Sequence, residues 1–307
     1  MRNTLLYIVT VLVWGSTWLA IEYQLGEVHL FASLAYRFAI AASLMWAYCL
    51  ISRVPMTFSL KDHGFILLLA LFNFSMNYAL IYASQVYLTS AMTSIAFSTM
   101  LLMNIVNTYI FFGTKITARV YIGASVGILG IIALFWKDVR EHTTSIETVS
   151  FDVGTTIGLA LVLASALVAS FGNMVSVRNS RAGMNVFAVN AWGMLYGTIL
   201  LCLMVGISGA EFSFSTKPTY VISLLYLAIF GTVIGFGTYY VLLSDIGPEK
   251  ASYVLVLFPA VAVILSTIFE GFVWSSSTFL GFALVLIGNA IILTPVEKLT
   301  LRRRGAV

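Results

Sequence analysis

Trp14, Trp18 and Glu22 follow one another at i, i+4 and i+8, so in a helix they stack on one face. Facing lipid, Glu22 would be costly unless it reached the headgroups; facing a wet cavity, two indoles ending in a carboxylate form a wall suited to a small amphipathic molecule. The competing use is interhelical packing of both rings with Glu22 at the membrane surface. Arg37 lies about two turns inside the next apolar run, too deep for a loop charge, and a buried guanidinium needs a partner. Glu22 and Glu270 are the carboxylates expected at comparable depth. Arg37 then has two roles open to it: gripping a substrate carboxylate or exchanging partners as a gate, and forming a permanent ion pair or reaching outward to the surface.

Amides, hydroxyls and phenols recur in other apolar runs. Asn73 and Asn77 are four apart, with Tyr78, Tyr82 and Gln85 along an adjacent stripe; Ser94 and Ser98 are four apart in the following run; Asn173, Tyr239, Tyr240 and Ser252 lie in the second half. A single Ser or Thr in such a run is more often interhelical glue than a ligand contact. Pro259 interrupts a run and marks a candidate hinge. His29, His63 and His142 sit at run ends or in connections, so no metal triad and no catalytic dyad is expected, and no Gly-rich phosphate loop is present. No cofactor, no enzymatic activity and no nucleotide-driven pumping are expected.

The elements that carry these residues follow from composition. The 307 residues are 60% hydrophobic and 9% charged, far from the ~25% charge of soluble domains. Long apolar runs between short polar connections predict an all-α integral membrane protein with ten spans near 4–22, 31–51, 63–83, 88–110, 117–136, 153–176, 185–207, 219–241, 249–270 and 277–295. Of the sixteen basic residues, twelve fall on the N-terminal side, three on the other, and Arg37 lies within a span, which predicts cytoplasmic termini. Arg302, Arg303 and Arg304 are accordingly read as an orientation signal and not as a nucleic-acid site. Cys49 and Cys202 lie inside apolar runs and read as small packing residues.

The halves also echo each other. Trp14-Gly15-Ser16 corresponds to Phe171-Gly172-Asn173, Ser84 and Ala91 to Ser244 and Ala251, and Gly113, Gly123 and Gly130 to Gly271, Gly281 and Gly288. Five helices is an odd number, so the second copy enters the membrane from the opposite side, as in transporters that rock inverted repeats around a midplane site. The expected organisation is a first repeat over 1–138, an external loop over 139–152, a second repeat over 153–296 and a basic cytoplasmic tail over 297–307. The pairs Gly123/Gly127, Gly154/Gly158 and Gly193/Gly197 allow close helix contact, within the chain as the expected use and in a homodimer as the other.

At this point the residues resemble a family. Val13-Trp14-Gly15-Ser16-Thr17-Trp18-Leu19-Ala20-Ile21, then Tyr36-Arg37-Phe38, then Gly247-Pro248-Glu249-Lys250-Ala251-Ser252, Leu257-Phe258-Pro259-Ala260 and Glu270 resemble the EamA type of the drug/metabolite transporter superfamily. Ser98-Thr99 stands where that family usually has Pro, and Gly113-Thr114 where a Gly-Glu pair is usual. The resemblance implies a bacterial inner-membrane secondary transporter that exports amino acids or related small amphipathic metabolites and drugs by alternating access. It also implies that spans one, three, four, six, eight and nine line the cavity, and that Arg37 lies toward the bundle's periphery in a structural role. Substrate-binding residues are then expected to be Trp14, Trp18, Asn77, Tyr78, Tyr82, Ser94, Ser98, Asn173, Tyr239 and Ser252. Glu22, Arg37 and Glu270 are the gating set, and Glu22 or Glu270 would carry any coupling proton. Scarcity of deep carboxylates favours uniport slightly. A membrane enzyme would need clustered carboxylates or histidines at one face, and an assembly or sensor subunit a larger loop than 137–152.

Overall fold

The computed structural model describes residues 2–135, 153–251 and 254–293, without the side chains of 240, 243, 244 and 247–251. The expected external loop, the basic tail and Ser252 therefore lie outside the described residues. Among the described residues the chain is helical throughout: α1 (Arg2–Glu22), α2 (Leu30–Ile51), α3 (Leu60–Gln85), α4 (Ser90–Phe112), α5 (Ala118–Leu134), α6 (Val153–Arg181), α7 (Val186–Ile207), α8 (Pro218–Tyr226, Leu227–Ile234 and Gly235–Ala251 in succession), α9 (Val254–Phe269) and α10 (Ser276–Leu293). Eight are long and apolar enough to cross a membrane, counting α8 by its Pro218–Tyr239 stretch; α5 and α9 are shorter and equally apolar. The ninth span, expected near 249–270, is α9 from Val254, and α8 continues through Gly247 and Pro248 to Ala251.

The two repeats are packed symmetrically. Helix α2 lies along α7 and α5 along α10, while α1 packs on α8 and α9 as α6 packs on α3 and α4. The corresponding glycines meet across the α5–α10 seam. A Cβ at Gly123 would stand 2.6 Å from the Gly288 carbonyl oxygen, and one at Gly130 would stand 2.8 Å from that of Gly281. Only hydrogen at those positions lets the backbones approach so closely. Gly193 and Gly197 likewise seat Phe74 of α3, so these faces are used within the chain. Gly113 and Gly271, at equivalent helix ends, adopt φ of 69° and 68°, the left-handed conformation that terminates a helix.

Both third helices of the repeats carry a π-helical stretch at the same place, Ala70–Met76 and Leu227–Ile234. The wider turn displaces carbonyls from the α pattern, and a hydroxyl bonds back to one in each copy: Ser75 Oγ to Ala70 O at 3.1 Å and Thr232 Oγ1 to Leu227 O at 2.8 Å. Helix α4 breaks after Phe97 and resumes at Met100, where Ser98 Oγ and Thr99 Oγ1 donate to the carbonyls of Ile95 and Ala96 at 2.6 and 2.7 Å. Such back-bonding bends helices. Two hydroxyls thus produce the break that proline usually provides, whereas α9 runs unbroken through Pro259.

On α1, Leu5, Ile8 and Leu12 are exposed on the outer surface while Val11, Gly15 and Trp18 are buried, so the Trp14/Trp18 face turns inward. On the side away from the N terminus, Lys217 Nζ donates to Glu27 at 2.7 Å and Ser215 Oγ donates to it at 3.1 Å, joining the α1–α2 and α7–α8 connections. The Lys217 hydrogen bond chiefly, with Ser215, holds the Glu27 carboxyl below its ordinary range. This tie is present at neutral pH and is lost as acid titrates Glu27 through that lowered value.

Candidate functional site

A cavity of about 780 Å³ occupies the centre of the bundle. Its inner wall is Trp14, Trp18, Arg37, Asn77, Tyr78, Phe236 and Tyr239; from there it descends along α4 and α6 to Thr114, Lys115 and Thr117. Those three are exposed, so the cavity reaches the surface on the side of the N terminus. At the other end Trp18 stacks on Phe258 at 5.8 Å between ring centres and tilts against Phe97 at 5.3 Å. Beyond the rings, Gln85 Nε2 donates to Trp18 O at 3.0 Å, and Glu270 accepts from Ser90 N at 3.2 Å, Ser90 Oγ at 2.9 Å and Ser266 Oγ. Helix α9 is thereby latched to the start of α4. One face is open and the other is closed by aromatic rings backed by hydrogen bonds.

Of the expected binding residues, Trp14, Trp18, Asn77, Tyr78, Asn173 and Tyr239 line this cavity. Trp14 sits edge-on to Phe236 at 5.5 Å and tilted on Tyr239 at 4.9 Å, in a space that a Cβ at Gly235 would close, 2.5 Å from Trp14 Nε1. Asn77 is held from α6, Ser165 Oγ donating to its Oδ1 at 2.7 Å. Asn173 accepts from Asn73 Nδ2 at 3.4 Å and donates to Asn104 Oδ1 at 3.2 Å, an amide chain across α3, α6 and α4.

Three expected contacts lie elsewhere. Ser94 and Ser98 are buried and donate to the carbonyls of Ala91 and Ile95 of their own helix, bending α4 without facing the cavity. Tyr82 is buried and absent from the cavity wall, donating to Gln24 Oε1 at 2.7 Å. Ser94→Ala and Ser98→Ala are therefore expected to change substrate affinity by no more than about threefold, the scale of one membrane hydrogen bond; a titration of ligand against tryptophan fluorescence checks this. Asn104, Thr108, Phe236 and Thr232 were missed by the sequence reasoning. Asn104 and Thr108 are four apart and were available as a signal, in the half of α4 opposite to the serines.

Arg37 requires the largest correction. It is 1% exposed and central, not peripheral, and among the described residues no carboxylate lies within 4 Å of it. Its Nε and Nη2 share the Thr232 hydroxyl at 3.3 Å each, and its guanidinium carbon lies 4.5 Å from the centre of the Tyr78 ring. Glu22 and Glu270 instead sit close enough to interact with each other, at the closed end. Each keeps one buried oxygen without a hydrogen-bond partner. The expected ion pair fails because depth along a helix does not specify direction around it: α2 turns Arg37 toward the α8 π segment.

A model of the EamA-like transporter family matches residues 2–136 and again 156–294. Protein PagO of Salmonella typhimurium is 23% identical over 303 residues, covering 96% of this chain and 93% of that one. The uncharacterized inner membrane transporter YedA of Escherichia coli K12 is 26% identical over 292 residues, 94% of this chain and 88% of the relative. An uncharacterized transporter from the trpA 3' region of Buchnera aphidicola is 23% identical over 277 residues, covering 89% and 85%. A protein crystal structure superposes with a TM-score of 0.66 over 99% of both chains at 17% identity, which is a likeness of fold.

Proposed function

The chain belongs to the EamA-like transporter family, and from that premise we propose that it is an inner-membrane secondary transporter exporting amino acids or related small amphipathic metabolites and drugs by alternating access. The observation that carries this reading is the cavity open at one face and latched at the other, between inverted repeats whose seam offers an axis for rocking. Its size falls within the ~300–1,000 Å³ range of small-molecule sites, and its aromatic walls with scattered amides suit an amphipathic body. The excess of basic residues on the N-terminal side supports cytoplasmic termini, so the open face is the cytoplasmic one, the loading side of an exporter. Binding through Trp14, Asn77, Tyr78, Asn173 and Tyr239 is the role we assign to the inner wall, with Pro259 as a hinge in α9. A homodimer would need a face other than those around Gly123, Gly158, Gly193 and Gly197, which are filled within the chain.

The nearness of Glu22 and Glu270 favours proton coupling over uniport. Reconstituted protein should take up labelled aromatic and neutral amino acids saturably, faster under an imposed pH gradient. Glu22→Gln with Glu270→Gln should abolish the gradient's effect while leaving counterflow. Retention of the pH dependence in that double variant would remove the coupling role, and equal flux in empty liposomes would remove transport.

A further inference from the structure

We propose that the cavity selects carboxylate-bearing amphipaths, docking the carboxylate on Arg37, and rejects organic cations; the inference rests on the transport reading above. Arg37 Nη1 is buried with no hydrogen-bond partner although the residue lines the cavity. The rest of the guanidinium leans on the Thr232 hydroxyl, has the Tyr82 hydroxyl close by, and lies against the faces of Tyr78 and Phe38, at 4.5 and 5.6 Å. A guanidinium removed from water and left without an anion is costly, and its planar fork matches a carboxylate in two parallel hydrogen bonds. The protein builds the cation and supplies no carboxylate among the described residues around it.

The same sign extends along the cavity. Lys115 stands at the exposed mouth, while no Asp or Glu is among the described lining residues. A cationic ligand would meet like charge at the mouth and at the inner wall, with no carboxylate among the described lining residues; an anion is attracted at both ends. The same cavity is walled by the aromatic rings of Trp14, Phe236 and Tyr239, a surface for the apolar body of the ligand. The α8 π segment makes this arrangement, since Thr232 holds the guanidinium and Gly231 leaves space that a Cβ would take from Thr17, 2.7 Å away.

The test uses the purified full chain in nanodiscs and three probes with one phenyl body: 3-phenylpropionate, 3-phenylpropan-1-ol and 3-phenylpropylamine, read by quenching of tryptophan fluorescence and by flux in proteoliposomes. The carboxylate should bind at least about tenfold tighter than the alcohol and the amine most weakly, the scale of a charge-assisted pair. Arg37→Gln should bring the carboxylate-to-alcohol ratio within about threefold of unity, while Arg37→Lys keeps most of the preference. Because the reading is a ratio within one protein, a general loss of stability does not mimic it. Should Arg37→Gln not yield folded protein, the probe order in the wild type and Arg37→Lys decides. An amine that binds as tightly as the carboxylate, an unchanged ratio in Arg37→Gln, or no binding of any probe overturns the proposal. Carboxylate preference in binding with no flux of any probe supports this site and overturns transport; flux of the amine alone supports transport and overturns this site.

Discussion

Gly281→Val is expected to reduce the yield of monodisperse protein at least about tenfold, or to lower its melting temperature sharply, because it wedges apart the seam between the repeats. A Cβ at Gly281 would stand 2.5 Å from Leu134 N and 2.7 Å from Gly130 O, both backbone atoms that no rotamer change can move. Overpacking a core by flexible side chains costs about 1–3 kcal/mol. Here the helices themselves must separate, and in a membrane close contact is the main attraction between them. The control is Gly127→Ala on the facing helix α5, where a new Cβ meets nothing within 4 Å and Ala is the better helix former. Size-exclusion chromatography with a thermal-shift assay distinguishes them; wild-type behaviour of Gly281→Val would remove the seam as the organising contact.

Glu270→Ala is expected to open the closed face. The carboxylate joins α9 to the first turn of α4 through the N–H and hydroxyl of Ser90, so its loss unties the two helices at the point where the cavity is sealed. Losing about 2 kcal/mol of hydrogen bonding from one state alone shifts the populations of the two states about thirtyfold. With Cys49 and Cys202 replaced, a cysteine at Ile21, buried at that end of the cavity, reports the change. Its labelling by a membrane-impermeant thiol reagent added on the face away from the N terminus should accelerate at least about tenfold over the Glu270-containing protein. No acceleration would mean that the Trp18, Phe97 and Phe258 rings alone hold the seal.

Much of this arrangement is written in residue type and period. Ten apolar runs declare the helices, and Gly113, Gly123 and Gly130 declare their partners Gly271, Gly281 and Gly288, because only glycine permits those turns and contacts. Trp14, Tyr78, Asn77 and Asn173 were legible as inner-wall residues because bulky aromatics and amides in an apolar run need protein or water around them. What hydropathy does not encode is direction around the helix. Ser94 and Ser98 have the spacing of a polar stripe, yet a hydroxyl can satisfy itself on its own helix, and these do. The π segments are equally hidden: a wider turn rotates everything after it, and nothing in Ala70–Met76 or Leu227–Ile234 announces that except, once the turn is known, Ser75 and Thr232. Arg37 combines both difficulties, its depth readable and its partner not.

The most direct test of the central claim, that the cavity is the path of a transported amphipath, is counterflow of a labelled aromatic amino acid in proteoliposomes containing the wild type, Trp14→Ala or Tyr78→Ala. Saturable accumulation is expected of the wild type and at least about a tenfold loss in each variant, both remaining monodisperse, as on removing a central aromatic wall from a binding site. Accumulation by the wild type that both variants retain in full would contradict it, since the substrate would then cross somewhere other than between Trp14 and Tyr78.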